Sequence, residues 1–224
     1  MRKYIFLVTM FLMACTSYQE RPLNDWLRLY SAQSTTLIPH LWEIGDSWTR
    51  VEFNNDGKTW KTLTDDLPEN IWIYGFDNLK FTVAVERNSN ASRTLSLFFP
   101  NGEIRKLNVG QFFMAVPNPF ASSITVLDIK ASRDALPQDL VQGIREYDLN
   151  GRQLSSNALP KNSTGPKSLL RIEGHCSKGR VIFDDSIGNL WEVENSVFKS
   201  FKPSECPGMR RASCVSTTEI CRYY

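Results

Sequence analysis

Strand-like alternation of apolar and polar residues dominates the chain after Pro39. Trp48-Thr49-Arg50-Val51-Glu52-Phe53 and Lys58-Thr59-Trp60-Lys61-Thr62-Leu63 flank Asn54-Asn55-Asp56-Gly57. An Asp-Gly pair supplies the positive φ angles a tight reversal needs, so this stretch predicts a hairpin. Lys80–Glu86 alternates with Phe81, Val83 and Val85 inward. Leu95, Leu97 and Phe99 resume that face beyond the polar loop Arg87–Ser92, and Pro100-Asn101-Gly102-Glu103 turns into Ile104–Val109. The same grammar returns at Ile144–Asp148 with Arg152–Leu154, and at Arg180–Phe183 with Leu190–Val193. Glycine turns at 57, 102, 151 and 188 are too unevenly spaced for a sequence repeat. The pattern predicts serial hairpins, as in a meander or sandwich, rather than a propeller.

Three stretches depart from that grammar. Leu23, Trp26, Leu27 and Tyr30 fall at i, i+3, i+4 and i+7, which predicts a short packing helix with Asn24 and Asp25 in its first turn. Val116-Pro117-Asn118-Pro119-Phe120 is rigid and poor in amide donors, which marks a boundary between two β modules. Ser155–Lys167 carries Pro160, Gly165 and Pro166 among polar residues and reads as an exposed loop. A short helix opened by Pro137 is expected within Arg133–Gly143.

The start of the chain reads MRKYIFLVTMFLMAC. Arg2 and Lys3 precede an apolar run, Tyr4–Ala14, too short for a membrane span of about 20 residues. A basic start with a short apolar core is the pattern of a secretory signal peptide. Its end, Leu12-Met13-Ala14-Cys15, resembles the lipobox of bacterial lipoproteins. That resemblance covers the first 15 residues. It implies cleavage after residue 14, lipid on the sulfur of Cys15, and, with Thr16 rather than aspartate following, placement in an outer membrane. The alternative is an ordinary signal peptide with Cys15 as a spare thiol. Residues 15–22 then read as a polar tether between lipid and fold.

Removing the first 14 of 224 residues takes Arg2 and Lys3 away, and Lys plus Arg falls from 26 to 24 against 24 Asp plus Glu. A neutral balance argues against nucleic acid as a partner, because that binding is driven by clustered cations at phosphates. Apolar residues at 42% and six tryptophans support a packed core. Besides Cys15 the cysteines are Cys176, Cys206, Cys214 and Cys221, an even number that suggests two disulfides in an exported chain. Cys176 with Cys206 and Cys214 with Cys221 is the favoured pairing among three. The spacing lacks paired C-x-x-C, and His175 beside Cys176 is a poor chelate, so no metal is expected.

Candidate chemistry is sparse. Phe53–Trp60 resembles the Asp-box of sialidase-like propellers, but Phe53 and Asn55 depart from the pattern and it occurs once, so the hairpin reading stands. Val116–Phe120 with Tyr147–Arg152 resembles the C-terminal sorting modules of Bacteroidetes-type secretion cargo, which implies an Ig-like sandwich there, although 72 residues follow Arg152. His40 sits in an apolar stretch, and a Cys–His nucleophile at His175 would need Cys176 free. Asp65–Asp66 and Asp184–Asp185 are candidate carboxylate pairs for glycoside hydrolysis, but adjacent acids face apart on a strand or are solvated in a loop. No cofactor motif is present, and no enzyme is expected.

Trp42, Trp48, Trp60 and Trp72 are close in sequence, and indole faces stack on sugars or fill interfaces as well as cores. Trp60, beside a polar turn, is the one expected at the surface. Arg210, Arg211 and Arg222 are candidate partner contacts in a tail that disulfides would hold in order. Together these features predict a mainly β protein: a signal peptide (1–14), a lipid tether (15–22), a first module with a short N-terminal helix (23–116), and a second antiparallel, sandwich-like module with a disulfide-stapled tail (117–224). The expected role is a lipid-anchored envelope subunit that binds another envelope protein, in an appendage, secretion or conjugation assembly. The alternative is a surface lipoprotein binding glycan through exposed tryptophans.

Overall fold

Ile71-Trp72-Ile73-Tyr74-Gly75 has no charged residue on either parity, which suits a strand covered on both faces. The computed structural model places it so. It describes residues 16–34, 48–65, 67, 71–75, 79–88, 93–129, 141–160, 165–166, 170–185, 187–211 and 213–216. Four antiparallel sheets account for the fold. The first runs β1 (Thr16–Pro22), β2 (Leu27–Ser34), β3 (Trp48–Phe53) and β4 (Lys61–Thr64) in chain order. The second runs β5 (Ile71–Gly75), β6 (Thr82–Arg87), β7 (Arg93–Phe98) and β8 (Ile104–Leu107).

The third sheet is β9 (Met114–Asn118), β10 (Ser123–Ile129), β11 (Val141–Asp148) and β12 (Gln153–Ala158). The fourth is β13 (Leu170–Cys176), β14 (Arg180–Asp185), β15 (Leu190–Glu194) and β16 (Val197–Ser200). Two short tail strands add to the first strands of two sheets: β17 (Arg210–Arg211) pairs with β13, and β18 (Ser213–Ser216) with β5. Each sheet is therefore an up-and-down meander of four consecutive strands, the strand order of a propeller blade.

Period-two alternation sorts the second sheet between two cores. Ile71, Ile73, Ala84 and Phe98 meet Leu23, Trp26, Leu27, Leu29, Val51 and Phe53 of the first sheet. Tyr74, Val83, Val85, Leu95 and Leu97 point the other way, onto Met114, Val116, Ile124 and Val126 of the third sheet and Ile172, Val181 and Phe183 of the fourth. Each Val, Leu, Ile, Phe or Met among them contributes about 1.5–3 kcal/mol on burial. A third, smaller cluster of Cys176, Ile182, Phe201 and Cys206 covers the far face of the fourth sheet. The Cys176–Cys206 disulfide, across 30 residues of chain, holds the tail there.

The expected hairpins form at 54–60, 99–103, 148–152 and 185–189. Gly102 shows why one of these turns needs glycine: its φ is +85°, and a Cβ would lie 2.7 Å from the Phe53 ring.

Several expectations are corrected. The helix over Leu23–Tyr30 does not form. Asn24 Oδ1 accepts the backbone N–H groups of Trp26 (3.1 Å) and Leu27 (2.8 Å), so its side chain closes a turn, and β2 begins at Leu27. Leu27 and Leu29 then face inward while Arg28 and Tyr30 face out, a period of two that the helical stripe concealed. Residues 16–22 are β1, paired throughout with β2, rather than a tether. The break at 116/117 falls inside β9, and the main core runs across it. Ser155–Ala158 belong to β12, so the 155–167 loop starts later. Residues 141–143 open β11, and the rest of the helix expected in 133–143 lies outside the described residues.

Candidate functional site

The third and fourth sheets meet through a polar relay, buried except at a half-buried Glu146, built on residues of β9, β10 and β11. Glu146 accepts hydrogen bonds from Asn118 Nδ2 (3.0 Å), from the Ser123 hydroxyl and from Thr125 Oγ1 (2.8 Å). Thr125 Oγ1 also lies 2.8 Å from His175 Nε2 on β13. The threonine has one proton, and it goes to Glu146. His175 must therefore carry its own proton on Nε2 and donate it to Thr125 Oγ1. Nδ1 is left as a buried acceptor with no hydrogen-bond partner among the described residues. Burial drives the His175 pKa down to about 4, so the ring is neutral at ordinary pH. The carboxylate contacts the hydroxyls and not the imidazole, so the relay lacks the base–orienter geometry of a nucleophilic triad.

Two residues before His175, Glu173 sits at a bulge of β13 and is buried with Arg211 Nε 3.2 Å from its carboxylate. Burial raises its pKa to about 7; Arg211 opposes that rise and the nearby Asp184 adds to it. β17 reaches this site because Gly174 has no side chain: a Cβ there would stand 2.2 Å from the Arg210 carbonyl oxygen.

On the outer side, β12 forms the border of the third sheet, exposed at every residue, with Leu154 55% exposed. Between it and the fourth sheet lies a cleft of about 530 Å³ lined by Ser156, Asn157, Arg180, Phe183, Glu192 and Ser196 among others. Among the lining residues, Arg180 Nη1 donates to Glu192 Oε2 at 2.9 Å. No strand pairs with the outer edge of β12 among the described residues, so that edge is open beside the cleft's border strand.

A second surface lies on the outer face of the first sheet. Arg28 stacks 4.3 Å over the Trp60 ring, and Arg50 stacks 4.4 Å over Tyr30. Glu20 and Glu52 each stand 2.7 Å from the Arg28 guanidinium, which holds it in place.

The residues expected to act are scattered. Cys15, Cys221, His40, Trp42 and Arg222 lie outside the described residues. Cys214 lies on β18, opposite Tyr74. Cys176 and Cys206 are joined, so Cys176 is no nucleophile. Trp60 is half-buried, with one face taken by Arg28. Arg211 is committed to Glu173. Asp184 and Asp185 face apart: Asp185 accepts from Asn189 and Trp191 and closes a turn, while Asp184 lies near Glu173 and Arg211. The relay and the β12 border escaped sequence reasoning because Ser, Thr and Glu on strands read as solvent positions until their register is known.

Among the described residues no three His, Cys, Asp or Glu side chains gather to hold a metal ion, and no helix is long and apolar enough to cross a membrane. No family model matches the chain, and no curated protein matches it either.

Proposed function

We propose that this chain is a lipid-anchored cell-envelope protein, in the outer membrane where there is one, that acts without catalysis as an interaction subunit of a larger envelope assembly. The observation that carries the reading is the β12 border, six exposed residues beside a cleft, with backbone groups positioned to pair with an extended segment of a partner. The lipobox-like start supports the anchor, and the Cys176–Cys206 crosslink supports an oxidising compartment.

The sugar-binding alternative calls for an open indole face. Trp60 has Arg28 on one side, which weakens that reading.

Gentle detergent extraction from the native membrane, with mass spectrometry of co-purifying proteins, tests the assembly role. Wild type is compared with Ser156→Lys, which adds charge to the β12 edge. Defined partners with wild type and a several-fold loss with the variant support the role. A lipidated protein that comes out alone refutes it.

A further inference from the structure

The anchored reading leaves open how the folded body stands relative to the lipid. The lipobox resemblance puts the acyl chains on Cys15, and β1 begins at the next residue, Thr16, which is already paired with Ser34 of β2. One residue of extended chain reaches only about 3.3–3.6 Å. A leash of several residues, the arrangement the polar sequence 16–22 suggested, is therefore missing. All seven of those residues are spent in the β1–β2 ladder, from Thr16↔Ser34 to Pro22↔Arg28.

Strand direction then fixes which end faces the lipid. β1 runs away from Cys15 and reverses at 23–26, so that turn is the far end, roughly 20 Å away at about 3.3 Å per residue. β2 returns toward the anchor and ends at Ser34, and β3 starts beside it, with Ser31 paired to Trp48. The near end of the first sheet is thus defined by Thr16, Ser34 and Trp48. The far end carries Asp25 and the polar turn Asn54–Lys58, whose backbone is held by Asn54 and Asp56 side chains. Nothing in that ladder can lengthen without breaking backbone pairs, and pairs broken at a water-exposed strand end cost little singly but add up along seven residues.

We propose that the protein stands on the phospholipid surface by the Thr16–Ser34–Trp48 end of its first sheet, without a flexible leash, so that the anchor sets the orientation of the body. This rests on the lipid-anchor reading above. It gives the first sheet a purpose distinct from that of β12: the sheet nearest the lipid orients the stack, and the β12 border belongs to a different sheet, away from the anchor in sequence and in packing order. A partner that adds to β12 would consequently meet it in one fixed pose relative to the membrane.

The test uses the full-length lipidated protein in vesicles of phosphatidylethanolamine and phosphatidylglycerol. A photo-reactive amino acid replaces either Ser34 at the near end or Asp25 at the far end, and lipid adducts are counted by mass spectrometry after irradiation. The expected result is a several-fold excess of adducts at 34 over 25, abolished when about twenty Gly and Ser residues are inserted between Cys15 and Thr16, a flexible spacer reaching about 25 Å. Equal labelling at the two positions, or an excess at 34 that survives the insertion, overturns the proposal while leaving the anchor intact. Intact mass measured on the same samples separates the other failure: a Cys15 without lipid overturns the anchor and the orientation together.

Discussion

Thr125 Oγ1 and His175 Nε2 lie 2.8 Å apart, both side chains buried, and join the third sheet to the fourth. The contact stands at the end of a relay that passes through Glu146 to Ser123 and Asn118. Thr125→Val keeps the shape of the side chain and removes the hydroxyl. It leaves the His175 N–H buried without an acceptor and is expected to cost about 1–3 kcal/mol. Urea unfolding checks this, as a lower midpoint with an unchanged slope.

His175 and Glu173, two residues apart, pull stability in opposite directions with pH. The unfolded histidine takes up its proton near 6.5 and the folded one only near 4. Between those values the unfolded state binds more protons, so stability falls as the pH drops. Glu173 holds its proton up to about 7 against an ordinary 4.5, with Arg211 and Asp184 facing it. There the folded state binds the extra proton, and stability rises as the pH drops. Each effect is worth roughly 3 kcal/mol in full, and in the overlap from about 4.5 to 6.5 they offset. Glu173→Gln should therefore make stability fall steeply with acid across that window, and His175→Gln should make it rise, in thermal or urea unfolding at successive pH values.

Reduction of the Cys176–Cys206 disulfide frees a loop of 30 residues and is expected to cost roughly 3–4 kcal/mol on the chain-entropy estimate. The loss should concentrate in the cluster of Ile182 and Phe201, which the crosslink covers. Hydrogen exchange with and without reductant checks it: faster exchange is expected in β14 to β16, and β6 and β7 should change little.

Gly174→Ala places a Cβ on the Arg210 carbonyl, so β17 must leave β13 and Arg211 must leave Glu173. Trypsin should then cut after Arg210 or Arg211 several-fold faster than in wild type, with the rest of the chain still resistant. Equal cutting rates would show that β17 tolerates the methyl group.

Much of the fold is legible in alternation alone. Val83 and Val85 of β6 and Leu95 and Leu97 of β7 face one core as their spacing requires, and the turns at Gly57, Gly102, Gly151 and Gly188 all reverse the chain. The turn glycines Gly57, Gly102 and Gly151 stand at one place, between the third and fourth strands of successive meanders, and the four-sheet grouping is hidden because Gly188 breaks that series by falling between the second and third. At the start of the chain, Leu23, Trp26, Leu27 and Tyr30 satisfy a helical stripe, and only the hydrogen bonds of Asn24 decide for a turn followed by a strand. The relay is illegible for another reason. Thr125 and Glu146 are polar residues on alternating strands, and nothing in sequence says that their faces are covered by the fourth sheet.

Intact mass spectrometry of the protein purified from membranes, run beside Cys15→Ser, decides whether lipid on Cys15 holds this protein to a membrane. The expected result is a mature chain beginning at Cys15 with the added mass of its acyl chains, and a variant that is neither lipidated nor retained in the membrane. A wild-type chain of unmodified mass, or a Cys15→Ser protein that fractionates with the membrane as wild type does, would contradict it.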